Sequence, residues 1–347
     1  MNDDAARASP PTAPRRATGW LRRWVAFWDE REPPTCLALI RIALGLVIVF
    51  DLLTLAAHGA IDWIWTPVEA GGVAGGDDAE ASLFYLLVPA SAGSAMLLWA
   101  GLLASAVGVA VGAFTRTSAL VHVWFSVQAA VINPGADRAI DRLIRMVLII
   151  LVLAPSAAVW SVDAKRATGS FRGDASPAPA WPRYLIFGQL VLTYFGAGLA
   201  KGGTYWYPWG GYNALYLTLR DPILSSVEPG WLDSTLAHVA TQIGTAATHL
   251  WELGAPLLLL AAYQRRTSER GGRRRLFGRV PVRDVYVAIG VVFHLSLALS
   301  LRLGIFPFAM LACFPAFFRP DELGRAWSSA VAASRRLAAK FRTAPSL

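Results

Sequence analysis

Residues 185–206 read LIFGQLVLTYFGAGLAKGGTYW. An apolar run ends in Lys201 and then gives way to glycines and aromatics. Carried back to residue 182, the run is about 20 residues long, enough for a helix to cross a ~30 Å hydrocarbon core. Comparable runs recur along the chain, and eight spans are predicted: roughly 35–57, 92–114, 117–134, 139–161, 182–201, 240–263, 283–302 and a short, proline-broken 304–319. Composition agrees, because 55% of the 347 residues are hydrophobic and only 16% are charged, against about 25% in soluble proteins. The two-residue alternation of a membrane β-barrel is absent. The fold predicted is all-α: a polytopic integral membrane bundle of about eight transmembrane helices.

Outside that bundle, residues 1–17 are rich in Ala, Pro and Arg and are expected to be disordered. Residues 18–30 place Trp20, Trp24 and Trp28 at helical spacing beside Arg22 and Arg23, the pattern of an amphipathic helix lying in the interface. The transmembrane domain is expected over 31–320, with an amphipathic cytoplasmic tail over 321–347. No apolar stretch follows the first arginines closely enough for a cleavable signal. The net charge of +9 reflects arginines gathered at span ends and in one loop, so it argues for topology and against a nucleic-acid partner. Arg15, Arg16, Arg22, Arg23, Arg116, the 162–183 loop and the arginines between 265 and 279 fall on one side, whereas the first long loop carries Asp62, Glu69, Asp77, Asp78 and Glu80. A cell-membrane protein with both termini cytoplasmic follows, with Lys201 at the opposite leaflet. Cys36 and Cys313 are too few for a metal site or a disulfide framework, and no metal is expected.

Ionisable groups inside apolar spans cost about 2.5–3.5 kcal/mol each on insertion scales, so each needs a partner, a wet cavity or a chemical role. Arg41 and Asp51 lie in the first span, Asp141, Arg142 and Arg145 open the fourth, His249 and Glu252 lie in the sixth, and His294 in the seventh. Asp141 and Arg145 (i, i+4) and His249 and Glu252 (i, i+3) can each share a helix face as packing pairs. His122 and His238 read as interfacial or packing residues. Lys201 is one of only three lysines among 32 basic residues. Arginine keeps its proton in proteins, whereas a desolvated lysine can lose it and serve as a base. The competing reading is a snorkelling anchor with its ammonium in water.

The chain's end, FHLSLALSLRLGIFPFAMLACFPAFFRPDE (293–322), together with WSVD at 160–163, YFGAGLAK at 194–201, and Trp206 followed by the GGY turn at 210–212, resembles the membrane domain of the vitamin K-dependent gamma-carboxylases. Over roughly 30–320 the chain is similar to the HTTM (horizontally transferred transmembrane) domain family. The resemblance implies a membrane enzyme, a lyase or oxidase, that uses a reduced vitamin K-like quinone, O2 and CO2. Lys201 stands at the position of the catalytic base. His294 is a hydrogen-bond donor or second acid/base, and the Trp206–Tyr212 loop covers the site. Trp160, Tyr194, His249, Glu252 and Phe306 are further candidates for the quinone or substrate site, and Arg142 and Arg145 for an anionic substrate or carbonate. The partners implied are the bilayer, a lipoquinone and a secreted peptide.

The chain departs from the carboxylases at Ala158, which stands where they carry a histidine before WSVD; whether another group, such as His249 or Glu252, compensates is not legible in the sequence. No large lumenal region follows the last span, so processive carboxylation of a protein is not expected. The competing function is a non-catalytic membrane factor for maturation, export or immunity of a secreted peptide.

Overall fold

The computed structural model describes residues 19–75, 82–266, 281–325 and 328. The expected tail at 1–17, the acidic residues Asp77, Asp78 and Glu80, the arginines from 270 to 279 and nearly all of the 326–347 tail lie outside them. The described chain is mostly helical: α1 (Gly19–Trp28), α2 (Thr35–Ala57), α3 (Ile61–Trp65), α4 (Leu83–Leu87), α5 (Ala92–Val111), α6 (Thr115–Ile132), α7 (Ala139–Leu153), α8 (Val162–Thr168), α9 (Trp181–Ala200), α10 (Ala214–Arg220), α11 (Thr235–Leu253), α12 (Leu257–Arg266), α13 (Val282–Ser300) and α14 (Phe306–Cys313). One short antiparallel pair joins β1 (Arg31–Glu32) to β2 (Ala178–Pro179).

Among the described residues, three helices are long and apolar enough to cross a membrane: α2, α5 and α13. The segment expected at 304–319 is a shorter apolar helix, Phe306–Phe317. The single span expected at 240–263 is two helices, α11 and α12. Pro256 has no N–H to give the helical ladder and Gly254 adds freedom, so the run breaks there. In α1, Trp20, Leu21, Trp24 and Val25 are exposed.

Small residues let the first helices approach closely. A Cβ on Gly45 of α2 would lie 2.6 Å from the Ala110 backbone nitrogen of α5, and one on Gly101 of α5 would meet the Phe125 ring of α6 at 2.4 Å. Around these contacts Ile40, Leu44, Leu98, Leu148, Leu190 and Met310 form one continuous apolar core. Arg41 is fully buried inside it. Its guanidinium donates to four carbonyls: Ser156 at 3.1 Å, Val109 and Ala110 at 2.8 Å, and Trp160 at 2.7 Å. Val109 and Ala110 lie in the last turn of α5, where carbonyls lack intrahelical partners and the helix dipole favours a cation.

The WSVD stretch builds the corner beside Arg41. Trp160 adopts a left-handed backbone (φ 54°) that presents its carbonyl to Arg41. The Ser161 hydroxyl accepts the Ala164 N–H at 2.7 Å and so caps α8. The Asp163 carboxylate accepts the Phe114 N–H at 2.9 Å, and the Thr115 N–H and hydroxyl at 2.8 Å each, capping α6 from a distance. Partial burial opposes ionisation of Asp163, but these donors, with Arg166 beside it, hold the carboxyl below its usual range. A depressed carboxyl stabilises the fold above its unfolded pKa of about 3.9 and loses that contribution as pH falls through the folded value. Asp163→Asn should therefore lower stability at pH 7 by roughly 1–2 kcal/mol. The gap between variant and wild type should close below about pH 4 when thermal unfolding is followed by tryptophan fluorescence.

Candidate functional site

Lys201 follows the last turn of α9, its N–H bonded to the Gly198 carbonyl at 3.3 Å. Its Nζ lies 2.5 Å from Glu252 Oε2, in a pair whose side chains are only 19% and 6% exposed. Nζ also donates to the Ala197 carbonyl at 3.4 Å and sits 4.9 Å from the Trp206 ring centroid. The ammonium is thus enclosed by a carboxylate and an indole, and the snorkelling anchor does not describe it.

This meeting depends on how α11 lies against α9. Glu252 sits in the last turn of α11, and the end of that helix abuts the end of α9, where a Cβ on Gly198 would stand 3.0 Å from the Leu253 nitrogen. Residues 202–215 then run back along α11. Tyr207 packs on His249 with centroids 5.2 Å apart, Gln242 donates to the Gly211 carbonyl at 2.7 Å, the Leu215 N–H donates to Thr245 at 3.0 Å, and Asn213 and His238 bond at 2.7 Å. Trp206 therefore lies against both Lys201 and His249, with its ring centroid 6.2 Å from that of the histidine. Tyr212 lies further along, with a left-handed backbone (φ 52°).

Two turns before Lys201 on α9, the Tyr194 hydroxyl shares a 2.7 Å hydrogen bond with His294 Nε2 of α13. His294 is fully buried, with Phe306 and Phe314 ring centroids 5.7 and 5.8 Å from its own. Trp251 separates this pair from Glu252. It stacks on Tyr286 at 4.7 Å, touches Tyr194 edge-on at 4.6 Å and donates to the Tyr286 carbonyl at 3.1 Å. His294 Nδ1 and the Tyr286 hydroxyl are both buried and have no hydrogen-bond partner among the described residues. Orphaned buried polar atoms are rare and point to a water or a ligand group.

The structure thus gathers Lys201, Glu252, His249 and Trp206 in one cluster and Tyr194, His294 and Phe306 in the next, with Trp251 between. It does not bring Arg142, Arg145 or Trp160 to them. Arg142 and Arg145 both bind Asp137, at 3.2 and 2.9 Å. The expected Asp141–Arg145 pair is replaced by Asp141–Arg138 at 2.9 Å, because Arg138 folds back over the first turn of α7. Trp160 and Ala158 belong to the corner at the end of the molecule where α2 and α9 begin. α9 is 20 residues long, about 30 Å, and Lys201 lies at its far end, so a histidine at 158 would stand far from the lysine. Of the two groups offered as compensation, Glu252 is the one that touches the lysine.

Tyr286 and Trp251 were not singled out by the sequence. Tyr286 lies eight residues before His294, close to the same face of α13, and Trp251 is adjacent to Glu252; those spacings were the available signal. His122 is buried and bonded to Ser105 at 3.1 Å. No group of three potential metal ligands occurs among the described residues.

Neither a curated protein nor a solved structure matches the chain. The family model described as HTTM domain matches residues 30–267; that range contains WSVD, YFGAGLAK and the Lys201–Glu252 pair, and stops short of the 293–322 stretch. With about two thirds of its length matched, the chain belongs to the HTTM domain family.

Proposed function

We propose that the protein is a membrane enzyme that uses Lys201 as the base in a quinone-dependent oxidative or carboxylating reaction. The observation that carries this reading is the enclosed Lys201–Glu252 pair under Trp206, beside a buried aromatic chamber with two unsatisfied polar atoms. A reduced vitamin K-like quinone, when bound, would supply the oxidisable hydroxyls, with O2 as oxidant and CO2 as the group added. The residues present suit such a group: Trp206 and Trp251 offer aromatic faces, while the Tyr286 hydroxyl and Lys201 offer donors for its oxygens. Among the described residues, Glu252 is the carboxylate close enough to take the lysine proton and leave a free amine. Tyr194 fixes the His294 ring through Nε2, leaving Nδ1 to bond a reacting oxygen.

The same reading holds that eight helical segments cross the cell membrane, with both termini cytoplasmic and Lys201 in the far leaflet, open to a lipoquinone and a secreted peptide. A second reading, a non-catalytic factor for maturation, export or immunity of a secreted peptide, draws support from the same pair. A lysine saturated by Glu252 and Trp206 can serve purely to join α9 to α11.

Purified protein given reduced naphthoquinone and oxygen should form quinone epoxide, and Lys201→Arg should slow it by about 10²–10⁴-fold, the usual contribution of a positioned base. Epoxide formation no faster than that of the arginine variant would leave the non-catalytic reading in place.

A further inference from the structure

We infer that the cavity between α2, α6 and α7 is a binding site for an amphipathic ammonium compound, independent of Lys201. The cavity holds about 500 Å³, the size of a small-molecule site. Its walls are largely apolar, with Ile48, Leu52, Leu102 and Ile144 among them, and five ionised side chains line it: Asp51, Asp137, Arg138, Asp141 and Arg145.

The hydrogen-bonding capacity left over decides what the ligand must offer. The two guanidiniums are nearly saturated. Arg138 donates to both oxygens of Asp51 at 3.1 and 2.6 Å and to both of Asp141 at 2.9 Å. Arg145 donates to both oxygens of Asp137 at 2.9 Å and to the Ser126 hydroxyl at 3.0 Å. A carboxylate accepts about four hydrogen bonds. Arg142 also donates to Asp137 at 3.2 Å and the Arg138 N–H to Asp141 at 2.9 Å, so Asp137 and Asp141 each keep about one unfilled acceptor site and Asp51 about two.

His122 supplies an independent observation. It lines the cavity and is only 4% exposed. Its Nδ1 lies 3.1 Å from Ser105 Oγ and 3.2 Å from the Leu102 carbonyl. A carbonyl only accepts, and the Ser105 hydroxyl already donates to the Gly101 carbonyl at 2.7 Å. Nδ1 therefore carries the proton and Nε2 presents a lone pair, with no partner among the described residues. Rim and interior both ask for a donor, and an inorganic cation would leave the apolar walls unfilled. A primary ammonium on an apolar body, whether a free amine or an aminolipid headgroup, meets both demands.

The test uses the full chain in detergent micelles with labelled 2-phenylethylamine, and with 3-phenylpropanoate and 3-phenylpropanol as its anionic and neutral counterparts. The amine should bind saturably and at least tenfold more tightly than either counterpart. Ala130→Trp, which fills the cavity from α6, and Asp141→Asn, which removes one rim charge, should each weaken it at least tenfold while the protein stays folded by thermal unfolding. Should one variant fail to fold, the other carries the test. Competition by dioctanoyl phosphatidylethanolamine identifies an aminolipid as the source, and its absence a free amine; both support the site. Equal binding of acid or alcohol, no saturable amine binding, or full binding in a folded variant overturns it.

Discussion

Arg41→Met is expected to abolish recovery of folded protein from detergent extracts. Methionine keeps most of the stem's volume but none of its donors. The carbonyls of Ser156, Ala110 and Trp160 would lose the partner described for them, and Val109 would keep only its contact with the Gly112 N–H at 3.2 Å. Each buried acceptor left bare costs about 1–3 kcal/mol, so the sum over three is roughly 3–9 kcal/mol, a large part of a typical domain's stability. Arg41→Lys should recover little, because one ammonium cannot span acceptors contributed by α5 and by the 154–161 corner. Size-exclusion profiles and thermal midpoints of detergent-extracted variants measure this. A monodisperse Arg41→Met protein melting within a few degrees of wild type would mean that the carbonyls find other donors.

The second large effect concerns the Lys201–Glu252 pair. Lys201→Met leaves a carboxylate that is only 6% exposed without its counter-charge, and breaking a buried pair from one side costs about 3–5 kcal/mol. Adding Glu252→Leu should restore most of that loss, since an apolar replacement of both partners is often neutral. A double-mutant cycle on thermal stability gives the coupling, which should be at least as large as the loss regained, about 3 kcal/mol. On the proposed catalytic reading, epoxide formation should follow a different pattern, because the double variant regains stability and still lacks the lysine. Near-additive single losses would mean that the two side chains are not coupled.

Helices were legible in the sequence because apolar length is a strong signal. The local corner at WSVD was not: its Ser161 and Asp163 act as caps on helices they do not both belong to, and only the tertiary path brings Asp163 to residue 114. Lys201 stood out because lysine is rare in this chain. Its partner comes into reach because the end of α11 packs on the end of α9, a tertiary contact that no hydropathy window carries. The Asp141–Arg145 spacing suggested a pair on one helix face, yet Arg138, just outside the helix, competes better for Asp141 because its backbone N–H and side chain both reach the same carboxylate. His294 was visible as a charge-capable residue in an apolar run, whereas Tyr286 was hidden as an ordinary aromatic in an apolar helix.

Translation delivers these groups in an order that the finished fold conceals. Arg41 is made 68 residues before Val109, the earliest of its acceptors, and Asp51 is made 87 residues before Arg138. Lys201 likewise waits for the loop and most of α11 before Glu252 exists. During synthesis each charge meets lipid or the insertion machinery alone, at about 2.5–3.5 kcal/mol apiece. A nascent chain stopped between residues 41 and 109, or between 201 and 252, carries a bare charge that longer chains neutralise. Such stalled lengths should be the ones that slip from the membrane or are degraded, and stability to proteolysis should return in steps as each partner emerges.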